Sequence, residues 1–134
     1  MITFNELIKG NSIADIPIEH QHNLEDLLKK INQIRTAYNV PMVVTSGYRS
    51  MQDHLRIYSQ KGITDKSKIP MKSKHLYGQA VDIADADGKL KAWVLKNVTL
   101  LESVGLWCED FSTTTTWVHF QILPPGSGKR FFMP

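Results

Sequence analysis

The segment Ser73-Lys74-His75-Leu76-Tyr77-Gly78-Gln79-Ala80-Val81-Asp82 places a histidine and an aspartate seven positions apart, with a glycine between them. Far downstream, Trp117-Val118-His119 supplies a second histidine inside an apolar run. Two imidazoles and one carboxylate suit a catalytic zinc, because three protein ligands leave the fourth tetrahedral position open to water. Such a metal brings the pKa of bound water to about 7, which makes a nucleophile at neutral pH.

Those residues need elements that bring them to one point. Gly78 marks a turn, and Ala80-Val81-Asp82-Ile83 reads as a short buried strand, within an expected strand from Gln79 to Ile83. His75 then sits on a loop, Met71 to Tyr77, and Asp82 on the strand. In Trp117 to Ile122, Trp117, His119 and Gln121 share one face of a strand, and Val118, Phe120 and Ile122 the other. His119 therefore points away from the apolar face. Taken singly, each histidine reads more simply as a turn or half-buried strand residue; the joint pattern is what points to a metal.

The ordered set Ser-x-His-x-x-Gly-x-Ala-x-Asp, then Trp-x-His, resembles the zinc D-Ala-D-Ala carboxypeptidase and L-alanyl-D-glutamate endopeptidase superfamily. That group includes vancomycin-resistance dipeptidases, many phage endolysins and the hedgehog signalling domain. Upstream, Val43-Val44-Thr45-Ser46-Gly47-Tyr48-Arg49-Ser50 resembles its strand-then-Ser-Gly-Tyr-Arg-Ser element. The resemblance runs in order from about Ile31 to the C-terminus. It implies Zn2+ as cofactor, His75, Asp82 and His119 as ligands, Arg49 with Ser73 as substrate-binding residues, and peptidoglycan peptides as substrate. A single small domain, with no separate wall-binding domain and no secretory signal expected, fits an endolysin of phage or prophage origin.

Many peptidases of the group carry an acid three positions before the last histidine. Here that position is Thr116, in the run Thr113 to Thr116, and threonine cannot take a proton from metal-bound water at neutral pH. The catalytic base is expected among the acids upstream, Glu109 or Asp110. Glu109 ends a strand-like stretch, Leu106-Trp107-Cys108-Glu109, and is preferred; Asp110 opens the Ser/Thr-rich loop as a turn former. If neither serves, the chain is a non-catalytic zinc-stabilised binding module of a phage particle.

The chain of 134 residues is expected to form a single domain, 1–134, of α+β class: a small antiparallel sheet with helices packed on one side and the metal site at the sheet face. Leu24, Leu27, Leu28, Ile31 and Ile34 make an amphipathic stripe over Glu19 to Tyr38, ended by Asn39 and Pro41. Met42 to Thr45 reads as a strand. Ser50 caps a second helix to about Gln60, with Gly62 beyond. Leu90 to Val104 reads as a third helix with Trp93, Val94, Val98 and Leu101 inward. Leu106–Cys108 and Trp117–Leu123 pair as a hairpin, and Pro124 to Gly128 makes a tail turn before Phe131-Phe132.

Net charge is +3 and the pI near 9.0, a mild excess that favours anionic surroundings. Lys61, Lys66, Lys68, Lys72 and Lys74 precede the metal motif, more as a solvated loop than as a polymer-binding strip. No aromatics interleave them, so no nucleic-acid partner is expected. No apolar run is long enough for a membrane span, and a monomer is expected. The opening Met1-Ile2-Thr3-Phe4-Asn5-Glu6 lacks a basic region before an apolar one. No secretory signal is expected, so synthesis is cytoplasmic, with action on the wall after release or within a phage particle. Cys108 reads as a small core residue. Asp85-Ala86-Asp87-Gly88 lacks the closing glutamate of a calcium loop and reads as a turn. His20, His22 and His54 read as surface or cap residues rather than ligands.

Overall fold

The computed structural model describes residues 1–134. Five helices, α1 (Phe4–Ile8), α2 (Ile18–Tyr38), α3 (Met51–Gln60), α4 (Lys89–Lys96) and α5 (Val98–Val104), accompany five strands. The strands are β1 (Val44–Ser46), β2 (Ala80–Ala84), β3 (Trp107–Glu109), β4 (Trp117–Gln121) and β5 (Phe131–Phe132), in sheet order β1-β2-β4-β3-β5. This is an α+β fold around a mostly antiparallel sheet.

Period-two alternation divides the sheet's faces. Val81 and Ile83 of β2, Cys108 of β3, and Val118 and Phe120 of β4 are all fully buried. They share one core with Leu24, Leu27, Ile31 and Ile34, the stripe of α2. Helix α2 starts at Ile18 and ends where Asn39 takes the left-handed conformation, φ 57°, which asparagine tolerates better than most residues. The α3 boundaries match the capping signal: the Ser50 hydroxyl accepts from Asp53 N at 3.1 Å.

Four features differ from the sequence expectation. The helix expected over Leu90 to Val104 is broken at Asn97, whose side-chain amide donates to Trp93 O at 2.8 Å; the side chain competes with the backbone for that carbonyl. Helix α1 is additional. Its signal was present in Thr3-x-x-Glu6, a capping box in which the Thr3 hydroxyl accepts from Glu6 N and the Glu6 carboxylate from Thr3 N. The tail turn is present, with Gly128 N donating to Pro125 O at 3.0 Å, but the chain beyond it adds a strand that the sequence did not announce. Phe131 and Phe132 form β5, parallel to β3, with Cys108 N donating to Arg130 O at 2.9 Å and Asp110 N to Phe132 O at 2.7 Å. Arg130 stacks over Trp107 at 4.3 Å and Phe131 meets Phe111 edge-on, which pins the strand. Finally, His54 is no surface residue: it is fully buried.

No helix is long and apolar enough to cross a membrane. Asp85 is the turn residue expected. Its buried carboxylate accepts from Leu90 N and Lys91 N at 2.9 and 3.0 Å, capping α4.

Candidate metal centre and its cleft

Strand pairing sets Asp82 directly opposite His119. Trp107 opposes Gln121 and Cys108 opposes Phe120, so Glu109, next along β3, falls on the same face as His119. The polar face of three strands thus converges on one spot. His75 reaches it from a single 3₁₀ turn, Lys74–Tyr77, closed by Gly78 at φ 71°. A side chain at Gly78 would also strike His20 O and Leu24 Cγ, each 2.8 Å from where its β-carbon would lie. Only glycine allows that turn to lie against α2.

His75, Asp82 and His119 offer ligand atoms that all lie within 4.8 Å of one another. His75 Nε2 is 3.3 Å from Asp82 Oδ2, and His119 Nδ1 is 2.9 Å from Asp82 Oδ1. The outer nitrogens fix both tautomers. His75 Nδ1–H donates to Gly47 O at 2.8 Å. His119 Nε2–H donates to Gln121 Oε1 at 2.9 Å, and the Gln121 amide is itself turned the right way by donating to Leu123 O at 2.8 Å. Each imidazole therefore aims a lone pair at a carboxylate oxygen, an arrangement that only a shared cation, proton or metal, satisfies. Partners of this kind on the far nitrogen are what orient metal-binding histidines. The donor set fits a divalent metal.

The electrostatics agree. With protons on His75 Nε2 and His119 Nδ1 in place of a metal, burial opposes ionisation of Asp82, but hydrogen bonds from the two charged rings outweigh it and hold the carboxyl well below the usual range. For His119, burial lowers the pKa, yet the Asp82 hydrogen bond and the charges of Asp82 and Glu109 win, and the value rises above the ordinary 6.5.

The three residues open onto a cleft of about 600 Å³. Glu109 lines it, its Oε1 3.9 Å from His119 Nε2. Asp110 does not: its carboxylate accepts from Ser112 N and Ser112 Oγ at 2.9 and 2.6 Å, closing the exposed loop. Thr116 is exposed, outside the lining. Arg49 and Ser73 both line the cleft, as do Lys61, Lys72 and Lys74 of the lysine cluster, whereas Lys66 and Lys68 lie away from it. Arg49 N donates to His75 O at 3.0 Å, tying the arginine's backbone to that of the histidine.

A family model described as Peptidase M15 matches residues 1–121. The chain belongs to the peptidase M15 family. This is a metallopeptidase family, and both histidines, Asp82, Arg49 and Glu109 fall inside the matched span. No curated protein and no solved structure gives a significant match. The last residues lie beyond the M15 match yet build one wall of the cleft: Pro125, Gly126, Phe132, Met133 and Pro134 line it. Phe132 sets its ring edge-on to His119, centroids 6.3 Å apart.

Two site-building residues escaped the sequence reading. Gln121 shares the face of His119, and its spacing of two from that histidine is the one signal the sequence carries for it. His54, which touches Arg49, had no signal beyond its position on the helix that follows the arginine.

Proposed function

We propose that this M15 protein is a zinc-dependent peptidase that hydrolyses peptidoglycan stem peptides, as a D-Ala-D-Ala carboxypeptidase or L-Ala-D-Glu endopeptidase, of phage or prophage origin. The observation that carries the reading is the His75–Asp82–His119 cluster with Glu109 beside it in one cleft. His75 Nε2, an Asp82 oxygen and His119 Nδ1 would hold the ion. Zinc there supplies a Lewis acid and lowers the pKa of water to about 7. Glu109 takes a proton from the attacking water and returns it to the leaving amine. Arg49 holds a substrate carboxylate with a planar two-pronged donor. Lys61, Lys72 and Lys74 add positive charge along the cleft, against Asp82 and Glu109 as its acids. That balance suits a peptide with several free carboxylates. Ser73, between Lys72 and Lys74, offers a hydroxyl to the same substrate.

The competing reading, a zinc-stabilised binding module without turnover, draws on Thr116 in place of an acid. A carboxylate from β3 in the cleft favours catalysis. The test is to incubate zinc-loaded protein with purified peptidoglycan and identify new termini by mass spectrometry. New D-Ala or D-Glu termini support the peptidase. Stoichiometric zinc with no cleaved peptide supports the module.

A further inference from the structure

Arg49 is the one guanidinium in the cleft lining, and its usefulness depends on where its donors point. Two side chains hold it. Arg49 Nη2 donates to Ser46 Oγ at 3.0 Å, and Arg49 Nη1 lies 3.2 Å from His54 Nδ1. The guanidinium has no lone pair to offer, so Nδ1 must be the acceptor. The other ring nitrogen, His54 Nε2, lies 2.7 Å from Pro70 O and must carry the proton. One tautomer satisfies both contacts.

The surroundings fix that tautomer further. His54 is fully buried in α3, its ring edge-on to Tyr58 with centroids 5.0 Å apart. Burial, with the nearby Arg49 charge, lowers its pKa against the opposing bond to Pro70, which keeps the ring neutral and Nδ1 free to accept. Pro70 leads directly into Lys72, Ser73 and Lys74, which line the cleft. A single imidazole thus braces the arginine on one side and the cleft loop on the other.

We infer that His54 is a positioning residue for substrate: through its Nδ1 it sets the direction of the Arg49 guanidinium, and through its Nε2–H it holds the lysine-bearing loop at matching distance. This rests on the reading of Arg49 as the carboxylate-binding group. A misplacement of about 1 Å in such a group costs on the order of 100-fold in rate.

Amide side chains separate the two contacts. His54→Asn places a carbonyl near Nδ1 and keeps an acceptor for Arg49. His54→Gln reaches the Nε2 position and keeps a donor for Pro70 while losing that acceptor. In zinc-loaded protein, nitrogen NMR of the Arg49 side chain should show restricted guanidinium rotation in the parent and in His54→Asn, and averaging in His54→Gln. Restricted rotation in a folded His54→Gln overturns the inference. The parent alone gives a second check that needs no variant to fold: the His54 ring must carry its proton on Nε2, and a proton on Nδ1 overturns it. Neither readout requires turnover, so an inactive parent would sink the peptidase reading without touching this one. Where the parent cleaves wall peptide, His54→Gln should lose about 10- to 100-fold in kcat/KM, chiefly through KM, and add little to Arg49→Lys. Equal kinetics for His54→Gln and the parent, or full additivity with Arg49→Lys, would show that His54 serves only the fold.

Discussion

Replacing Gln121 by methionine tests the proposed metal centre without touching a ligand. Gln121 is only 3% exposed, and its Oε1 is the acceptor that holds the proton on His119 Nε2. Methionine fills similar space but offers no such acceptor. The buried Nε2–H then loses its bond, a cost of about 1–3 kcal/mol. The alternative is for the proton to move to Nδ1, where Asp82 Oδ1 at 2.9 Å accepts it. That state is well satisfied but blocks the lone pair a metal needs. Either way metal binding suffers, and loss of an outer-shell partner usually weakens affinity about 10- to 100-fold, or about 1.4–2.8 kcal/mol. Glu109 Oε1, 3.9 Å from the same nitrogen, can swing in as a substitute, which favours the lower end of that range. Zinc affinity would be measured by competition against a chromophoric chelator, with thermal melts to confirm folding. Gln121→Glu keeps the acceptor for His119 but loses the donor to Leu123 O, so it should recover only part of the affinity that Gln121→Met loses. Affinity of Gln121→Met within twofold of the parent would refute the assigned tautomer of His119.

Glu109→Gln should retain zinc and fold but lower hydrolysis by about two to four orders of magnitude, with Asp110→Asn costing less; a deeper loss in Asp110→Asn, read from the same turnover assay, would reverse the roles. Gly47→Ala should destabilise the protein by about 1–3 kcal/mol in urea titration, because a β-carbon there collides with the Leu7 carbonyl, whose oxygen accepts from Tyr48 N. It should weaken zinc binding too, since Gly47 O orients His75; unchanged stability would show that α1 yields freely. Cys108 is fully buried, and burial pushes its thiol well above the ordinary range. A thiol-specific reagent should therefore label it only in denaturant, and rapid labelling of native protein would contradict the packing of β3.

The candidate metal cluster was legible because each of its parts sits in a short pattern. His75 and Asp82 share one short motif, and period-two alternation alone assigns His119 to the face opposite Val118 and Phe120. The same alternation, with Cys108 inward, separates Glu109 from the turn-forming Asp110. What escaped depends on individual side-chain partners that periodicity does not record. His54 is buried because Arg49 and Pro70 satisfy its two nitrogens, and neither contact leaves a periodic trace. Strand β5 has only two residues, too few for a pattern, and owes its place to Arg130 over Trp107 and Phe131 against Phe111. The break in the helix expected over Leu90 to Val104 turns on one amide finding the Trp93 carbonyl.

The alignment of β4 carries a consequence for how the protein reaches its final state. One choice of pairing puts His119 opposite Asp82 and Gln121 opposite Trp107, and so lines up both strand-borne candidate ligands, the glutamine behind one of them and the neighbouring Glu109. A slip of one residue would exchange His119 with Val118 or Phe120 and scatter that group across the sheet. No slipped pairing can then grip an ion, while the correct one can. A metal that binds only the correctly aligned strands draws the folding population toward them by mass action. Besides its chemistry, the ion would serve as a proofreader of strand alignment, rewarding the one arrangement in which the two central strands agree.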